Sequence, residues 1–219
     1  MNCVHAEHYG RRQNSSSSWL QEHQNKNSRS HFYLRKISMK ITEIANPMPH
    51  LFLDMDGVQA DFFGAWADLN GVPHYKDIND PEAAIVELAQ AGYKKVYDFF
   101  RNLEPLHGGQ VIIRWLHRNK IPFTVLSAPL RIEGPASVQG KKDWLDEHNP
   151  GASAHAIFTS KKFKYAMSGT TPNVLVDDFG KYLTAWSEAG GIAVKHDDPQ
   201  TNQTIQALAD IYGQYQDIH

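Results

Sequence analysis

The sequence predicts an α/β fold built on a doubly wound, mainly parallel sheet. Three observations lead there. From Met39 onward, short apolar runs alternate with amphipathic helical patterns, the order that feeds crossover connections between parallel strands. The strand-like runs, "HLFL" and "NVLV" among them, lack polar alternation, as expected of strands covered on both faces. Acidic or hydroxyl residues stand where three of those runs end, and in such sheets ligands bind beyond the carboxyl ends of the strands.

Taken in order, "HLFLDMD" is the first strand and "QADFFGAWADLNG" the first helix, closed by Gly71. "DPEAAIVELAQAGYKKVYDFF" reads as one helix, with Asp80 as N-cap, Pro81 at the first helical position and Glu82 in the first turn. Its residues Ile85, Leu88, Tyr93, Val96 and Tyr97 fall at helical spacings. The helical insertion over residues 70–100 is too long for a loop, so it reads as a small cap placed after the first strand–helix unit. The amphipathic helix "GGQVIIRWLHRNK" leads into the strand "PFTVLSAP". The helix "ASVQGKKDWLDEH" leads into the strand "HAIFTS", and a short basic segment precedes the strand "NVLVDDF". The helix "KYLTAWSEAG", the strand "GIAVKH" and the helix "TIQALADIYGQY" complete the chain.

Composition narrows the function classes. With 219 residues and 41% hydrophobic content, residues 39–219 suffice for one domain with a real core. A net charge of −2 gives no electrostatic reason to expect nucleic acid as a partner. No run approaches the roughly 18 apolar residues that span a bilayer. The one cysteine, Cys3, cannot form an internal disulfide, which fits a reducing, cytoplasmic setting. Residues 1–38 are rich in Ser, Asn, Gln and Arg and read as a disordered tail. Such a tail is either bland or lies upstream of a natural start at Met39. A transit peptide fits less well, because Glu7 and Glu22 are present and no amphipathic stripe is visible.

The chemistry lies in the polar strand ends: Asp54 and Asp56 after the first strand, Ser127 after the second, and Asp177 and Asp178 after "NVLV". Two carboxylates about 4 Å apart repel by about 4 kcal/mol at an effective dielectric near 20. Four gathered at one sheet edge therefore call for a cation or for protonation. An all-oxygen donor set without Cys or paired His selects a hard ion, with Mg2+ the natural choice. A lone D-x-D-G is commonly just a turn. An EF-hand is excluded by the early glycine, and neither a G-x-x-x-x-G-K-[ST] nor a G-x-G-x-x-G phosphate loop is present.

The ordered set "DMDGV", "VLSAPL", Lys162 within "FTSKKFKYA" and "VLVDD" resembles the haloacid dehalogenase (HAD) superfamily of phosphohydrolases. The closer likeness is to the 5'(3')-deoxyribonucleotidases, through "ADF" after "DMDGV", "DFFRNLEPL" and the serine before "PL". The likeness spans residues 51–196. It implies a HAD-like Rossmannoid core and Mg2+-dependent hydrolysis of a phosphate monoester through an aspartyl-phosphate. Asp54 would be the nucleophile, and Asp56 the acid/base and a metal ligand through its backbone carbonyl. Ser127 would hold a phosphoryl oxygen and Lys162 would neutralise phosphate charge. Asp178 would be a metal ligand, with Asp177 behind it or in its place. Phe62 would contact a base, and Tyr93, Tyr97 and Phe100 are weaker candidates better explained by packing. Arg131, just past the serine, reads as exposed.

Two departures stand out: Ala128 replaces a serine usual in those enzymes, and the segment after Lys162 is long, which leaves Lys161 and Lys164 open as alternatives. The expected substrate is a small phosphate ester, a (deoxy)nucleoside monophosphate. The alternatives are another phosphate ester, a phosphate at a nucleic-acid end, or a catalytically silent HAD-like binding protein. A homodimer is the assembly considered, with the oligomeric state left open.

Overall fold

At the centre lies β1 (Leu51–Leu53), three residues flanked by parallel neighbours on both sides. The five-stranded sheet has the order β3-β2-β1-β6-β7 and is parallel at every pairing. Its members are β2 (Phe123–Ser127), β3 (Ile157–Phe158), β6 (Val174–Asp177) and β7 (Ile192–Lys195). A separate antiparallel hairpin pairs β4 (Met167–Ser168) with β5 (Thr171–Pro172). The structure, a computed structural model, describes residues 47–218. The expected tail over residues 1–38 and the first residues of the expected core lie outside them.

Side chains alternate across the sheet as the pleat requires. Leu51, Leu53, Val174 and Val176 pack on α4 (His107–Arg118) and α7 (Thr201–Tyr212) through Ile112, Leu116, Leu208 and Tyr212. Phe52, Leu126 and Leu175 face α6 (Gly180–Glu188) through Leu183 and Trp186. With helices on both faces, apolar residues fill both sides of each strand, which is why the runs carry no polar alternation.

A third cluster joins α1 (Phe62–Leu69), α2 (Pro81–Gln90), α3 (Tyr93–Arg101) and α5 (Gly134–His148) around Trp66, Phe100, Trp144 and Leu145. The segment from Asp80 to Phe100 is thus two helices rather than the one expected. Asp80 caps α2 by accepting from the Ala83 N–H, and Pro81 follows it. The break falls at Gly92, whose φ of 92° is a left-handed conformation that glycine adopts without Cβ strain. Breaking there lets α3 turn onto α5, where Tyr97 donates to Asp143 and Arg101 pairs with Glu147.

The loop leaving β1 is held from below by α4. A Cβ at Gly109 would lie 2.2 Å from the Val58 carbonyl oxygen, so only glycine allows this approach of helix to loop. Gly109→Ala is expected to lower stability by about 1–3 kcal/mol through overpacking, read as an earlier urea midpoint. An unchanged midpoint would mean that the loop yields freely.

Candidate active site

Three adjacent strands, β2, β1 and β6, end side by side. Leu53 is in register with Val125 and Val176, and the Asp54 N–H continues the ladder to the Val176 carbonyl at 3.0 Å. Asp54, Ser127 and Asp177 are therefore delivered to one edge by backbone pairing alone. Carboxylate oxygens of Asp54, Asp177 and Asp178 come within 4.8 Å of one another. Asp54, Ser127, Asp177 and Lys162 are all buried.

The turn after Asp54 is wound tightly. The N–H groups of Val58, Gln59 and Ala60 all point to the Met55 carbonyl, and Gly57 donates to Ala60. Gly57 has φ of 73°, and a Cβ there would meet the Asp178 carboxylate at 2.5 Å. The missing side chain at Gly57 leaves the room that the Asp178 carboxylate fills. Gln59 is fully buried and donates to the Asp54 carbonyl at 2.8 Å.

Lys162 enters from the 3-10 turn Lys162–Tyr165. Its Nζ donates to Asp177 Oδ2 at 2.7 Å and stands 2.8 Å from Asp54 Oδ1, an ion pair outside hydrogen-bond geometry. Burial alone would lower the ammonium pKa, but the carboxylates of Asp54 and Asp177 override it and hold the group above its ordinary value. Lys161 and Lys164 are exposed, so of the three lysines only Lys162 meets the acidic cluster.

One lysine does not balance three carboxylates. Burial, with the charges of Asp54 and Asp177 added, pushes the Asp178 carboxyl up to about 8. Burial and the Asp54 charge also raise Asp177. Both Asp177 oxygens are already engaged, by Lys162 and by the Phe179 N–H, whereas Asp178 remains at the rim. An all-carboxylate donor set short of positive charge fits a hard divalent cation.

The side chain of Asp56 turns away from the three-carboxylate group, which leaves its backbone carbonyl as the atom expected to face a metal. Its Oδ2 is bound by Lys141 Nζ at 2.6 Å, and it stands outside the three-carboxylate group. Burial raises its pKa, against the opposing charge of Lys141. Lys141 was not anticipated: it is fully buried on α5 and also reaches Ser127 Oγ at 3.0 Å and the Ala128 carbonyl at 2.6 Å. A lysine inside "QGKKDWL" reads as a solvated charge. The available signal was its helical spacing from Ser137, Trp144 and Leu145, all on the buried stripe.

A cleft of about 400 Å3 opens beside Asp178, lined also by Gly57, Asp61, Phe63, His74 and Tyr75. The Phe63 and Tyr75 rings are 4.4 Å apart, and His74 lies 4.6 Å from Tyr75. Phe62 does not line this cleft. The N-terminal turn of α1 directs it into packing with Trp66, Phe99 and Phe100 and turns Phe63 outward instead. Tyr93 is exposed, Tyr97 is bonded to Asp143 and Phe100 is in the core. Arg131 is exposed and paired with Glu82 of α2.

A parallel sheet whose central strand ends in D-M-D-G, with serine, lysine and a second acidic pair at the adjoining strand ends, defines a hydrolase of the HAD superfamily. The family described as "5' nucleotidase, deoxy (Pyrimidine), cytosolic type C protein" matches residues 47–212, and the chain belongs to that family. Among curated proteins, none matches the chain. Similar solved structures include a HAD hydrolase, family IA, variant 3, from Entamoeba histolytica HM-1:IMSS, at 14% identity and a TM-score of 0.44, covering 76% of this chain and 90% of that one. A predicted HAD-like hydrolase from Porphyromonas gingivalis has 13% identity and a TM-score of 0.43, covering 74% and 97%. A HAD family hydrolase from Deinococcus radiodurans R1, with bound phosphate and sodium, has 13% identity and a TM-score of 0.41, covering 75% and 96%. Among the described residues no helix is long and apolar enough to cross a membrane.

The electrostatics give a pH prediction. The Asp178 carboxyl is held near 8 against its ordinary 3.8, so folding favours the protonated form. That stabilisation is complete below about pH 4 and is lost as pH rises through about 8. With chelator present, the melting temperature is expected to fall between about pH 6 and pH 8.5. Saturating Mg2+ should restore more at the higher pH, up to about 2.7 kcal/mol at a hundredfold excess over Kd. An equal Mg2+ increment at both pH values would contradict this account of the cluster.

Proposed function

We propose that the protein is a Mg2+-dependent nucleoside monophosphate phosphatase, a 5'(3')-deoxyribonucleotidase acting through an aspartyl-phosphate at Asp54. The observation that carries this reading is the burial of Asp54 between Lys162 and the Asp177–Asp178 pair, beside a cleft with an aromatic wall. The family match supports the nucleotide. The cleft volume falls in the range that small ligands occupy, and Phe63 and Tyr75 offer apolar faces on which a base can lie.

Two carboxylates divide the work. Asp54 attacks phosphorus, forming the aspartyl Oδ–P bond as the ester P–O bond breaks. The departing nucleoside oxygen takes its proton from Asp56, so the nucleoside leaves with a neutral hydroxyl and Asp56 is left as carboxylate. In the second half, Asp56 accepts a proton from water as that water attacks phosphorus. The Oδ–P bond then breaks, releasing inorganic phosphate and restoring Asp54. Ser127 donates to a phosphoryl oxygen, and Lys162 offsets charge on the same group. Phosphoryl transfer gains most from such positioning and charge stabilisation.

Mg2+ would be held by Asp54, Asp178 and the backbone carbonyl of Asp56, with Asp177 behind them. When bound it would offset the carboxylate repulsion and draw charge from the phosphoryl oxygens. The setting that fits is the cytoplasm.

Purified protein with Mg2+, tested against a panel of deoxynucleoside and nucleoside 5'- and 3'-monophosphates, is expected to release phosphate. Asp54→Asn should abolish release, and Lys162→Met should lower kcat by about 10²–10³-fold. Full activity in Asp54→Asn would rule out the covalent route. Faster release from a 3'-phosphorylated oligonucleotide than from every monophosphate would move the substrate to nucleic-acid ends.

A further inference from the structure

We propose that Lys141 is a positioning residue for phosphoryl transfer, holding the Asp56 carboxylate and the Ser127 hydroxyl as one hydrogen-bonded unit. This rests on the phosphatase reading above. Donor and acceptor counts carry it. An ammonium has three N–H donors, and Lys141 has three oxygen partners: Asp56 Oδ2 at 2.6 Å, Ser127 Oγ at 3.0 Å and the Ala128 carbonyl at 2.6 Å. Its donors are used up and the residue is 0% exposed, so it does not touch substrate. It acts through the groups it holds.

The consequence for each partner follows from its own inventory. A hydroxyl has one hydrogen to donate. Because Ser127 Oγ accepts from Lys141, that hydrogen is left for another acceptor, which in the reaction is a phosphoryl oxygen. On Asp56, Oδ2 is held while Oδ1 is buried with no hydrogen-bond partner. One carboxylate oxygen is therefore anchored and the other left for the leaving oxygen and, later, for water. Fixing both groups from one ammonium aligns the proton donor and the phosphoryl contact before substrate arrives. Small misplacements of such groups carry large rate penalties.

The lysine is itself rigidly mounted. Its Nζ lies 4.8 Å from the centre of the Phe100 ring of α3. One turn on, Trp144 is fully buried and donates to the Leu103 carbonyl at 2.7 Å. Gly140 lets α3 come close, since a Cβ there would be 2.6 Å from the Tyr97 carbonyl oxygen. Lys141 also supplies the positive charge that a half-buried carboxylate needs, and a purely structural ion pair would share that feature. The two roles part in their dependence on the leaving group.

The test compares wild type with Lys141→Met on a deoxynucleoside monophosphate, whose leaving alkoxide needs a proton, and on p-nitrophenyl phosphate, whose leaving phenolate does not. The expected result is a loss in kcat of at least about 100-fold on the nucleotide, the scale of general acid catalysis. On p-nitrophenyl phosphate the loss should be under about tenfold, with KM for the nucleotide changed far less than kcat. Equal losses on both esters in a folded variant would overturn the proposal and leave the phosphatase reading intact. A wild type inert on both esters would overturn the two together.

If Lys141→Met does not fold, Asp56→Asn/Lys141→Met is compared with Asp56→Asn, because neither then buries an unpaired carboxylate at position 56. Removing the lysine in that background should leave the ratio of the two esters unchanged. A further selective loss on the nucleotide would overturn the proposal.

Discussion

The site depends on one electrostatic constraint: β1 and β6 are hydrogen-bonded neighbours, and each ends in carboxylates. The backbone ladder fixes Asp54 beside Asp177, so the chain cannot separate them without giving up the pairing at the centre of its sheet. Such repulsion is severe away from water. It is met by Lys162, buried between the two, and by a raised pKa at Asp178. The charge still lacking is what a bound cation would bring. Fold stability and the fit of the edge to a cation thus rest on the same carboxylates of Asp54, Asp177 and Asp178.

A second constraint is steric and sits under the first. The turn from Met55 to Ala60 has to fold back over its own backbone to bring Asp56 alongside Asp54. Gly57 permits this by its left-handed conformation and by leaving space for Asp178, and Gly109 permits α4 to support the turn directly. Both glycines act by absence, and neither is replaceable by a residue with a Cβ without moving backbone or a carboxylate.

Much of this was legible in the sequence because strand-end carboxylates are conspicuous. An apolar run that stops at "DMDG" or "DD" marks both the strand and its functional end, so Asp54, Asp177 and Asp178 could be placed at one edge once the parallel order was inferred. The misses have local causes. Helical periodicity runs unbroken through "AQAGYKK", and only the backbone conformation of Gly92 separates α2 from α3. The β4–β5 hairpin is two residues per strand, too short for any alternation to show. Phe62 and Phe63 are adjacent, and which one faces the cleft is decided by the rotation of a helix whose N-cap, Asp61, accepts from Gly64. Lys141 was hidden by residue type, since a lysine on a helix is nearly always at the surface.

That hidden lysine points to the element that organises the site. Helix α5 places no carboxylate in the acidic group, yet it grips the site at two points. Near its middle, Lys141 ties Asp56 to Ser127, joining the loop after β1 to the end of β2. Just past its C-terminus, Asn149 donates to Gln59, which in turn donates to the Asp54 carbonyl. The Asp54 backbone, the Asp56 carboxylate and the Ser127 hydroxyl therefore share one rigid support. Because α3 packs along that same helix through Phe100, Tyr97 and Arg101, a displacement of the inserted helices would reach Asp56 through α5. The insertion and the acidic sheet edge are mechanically one piece, which is what the roles proposed for Asp54 and Asp56 would require.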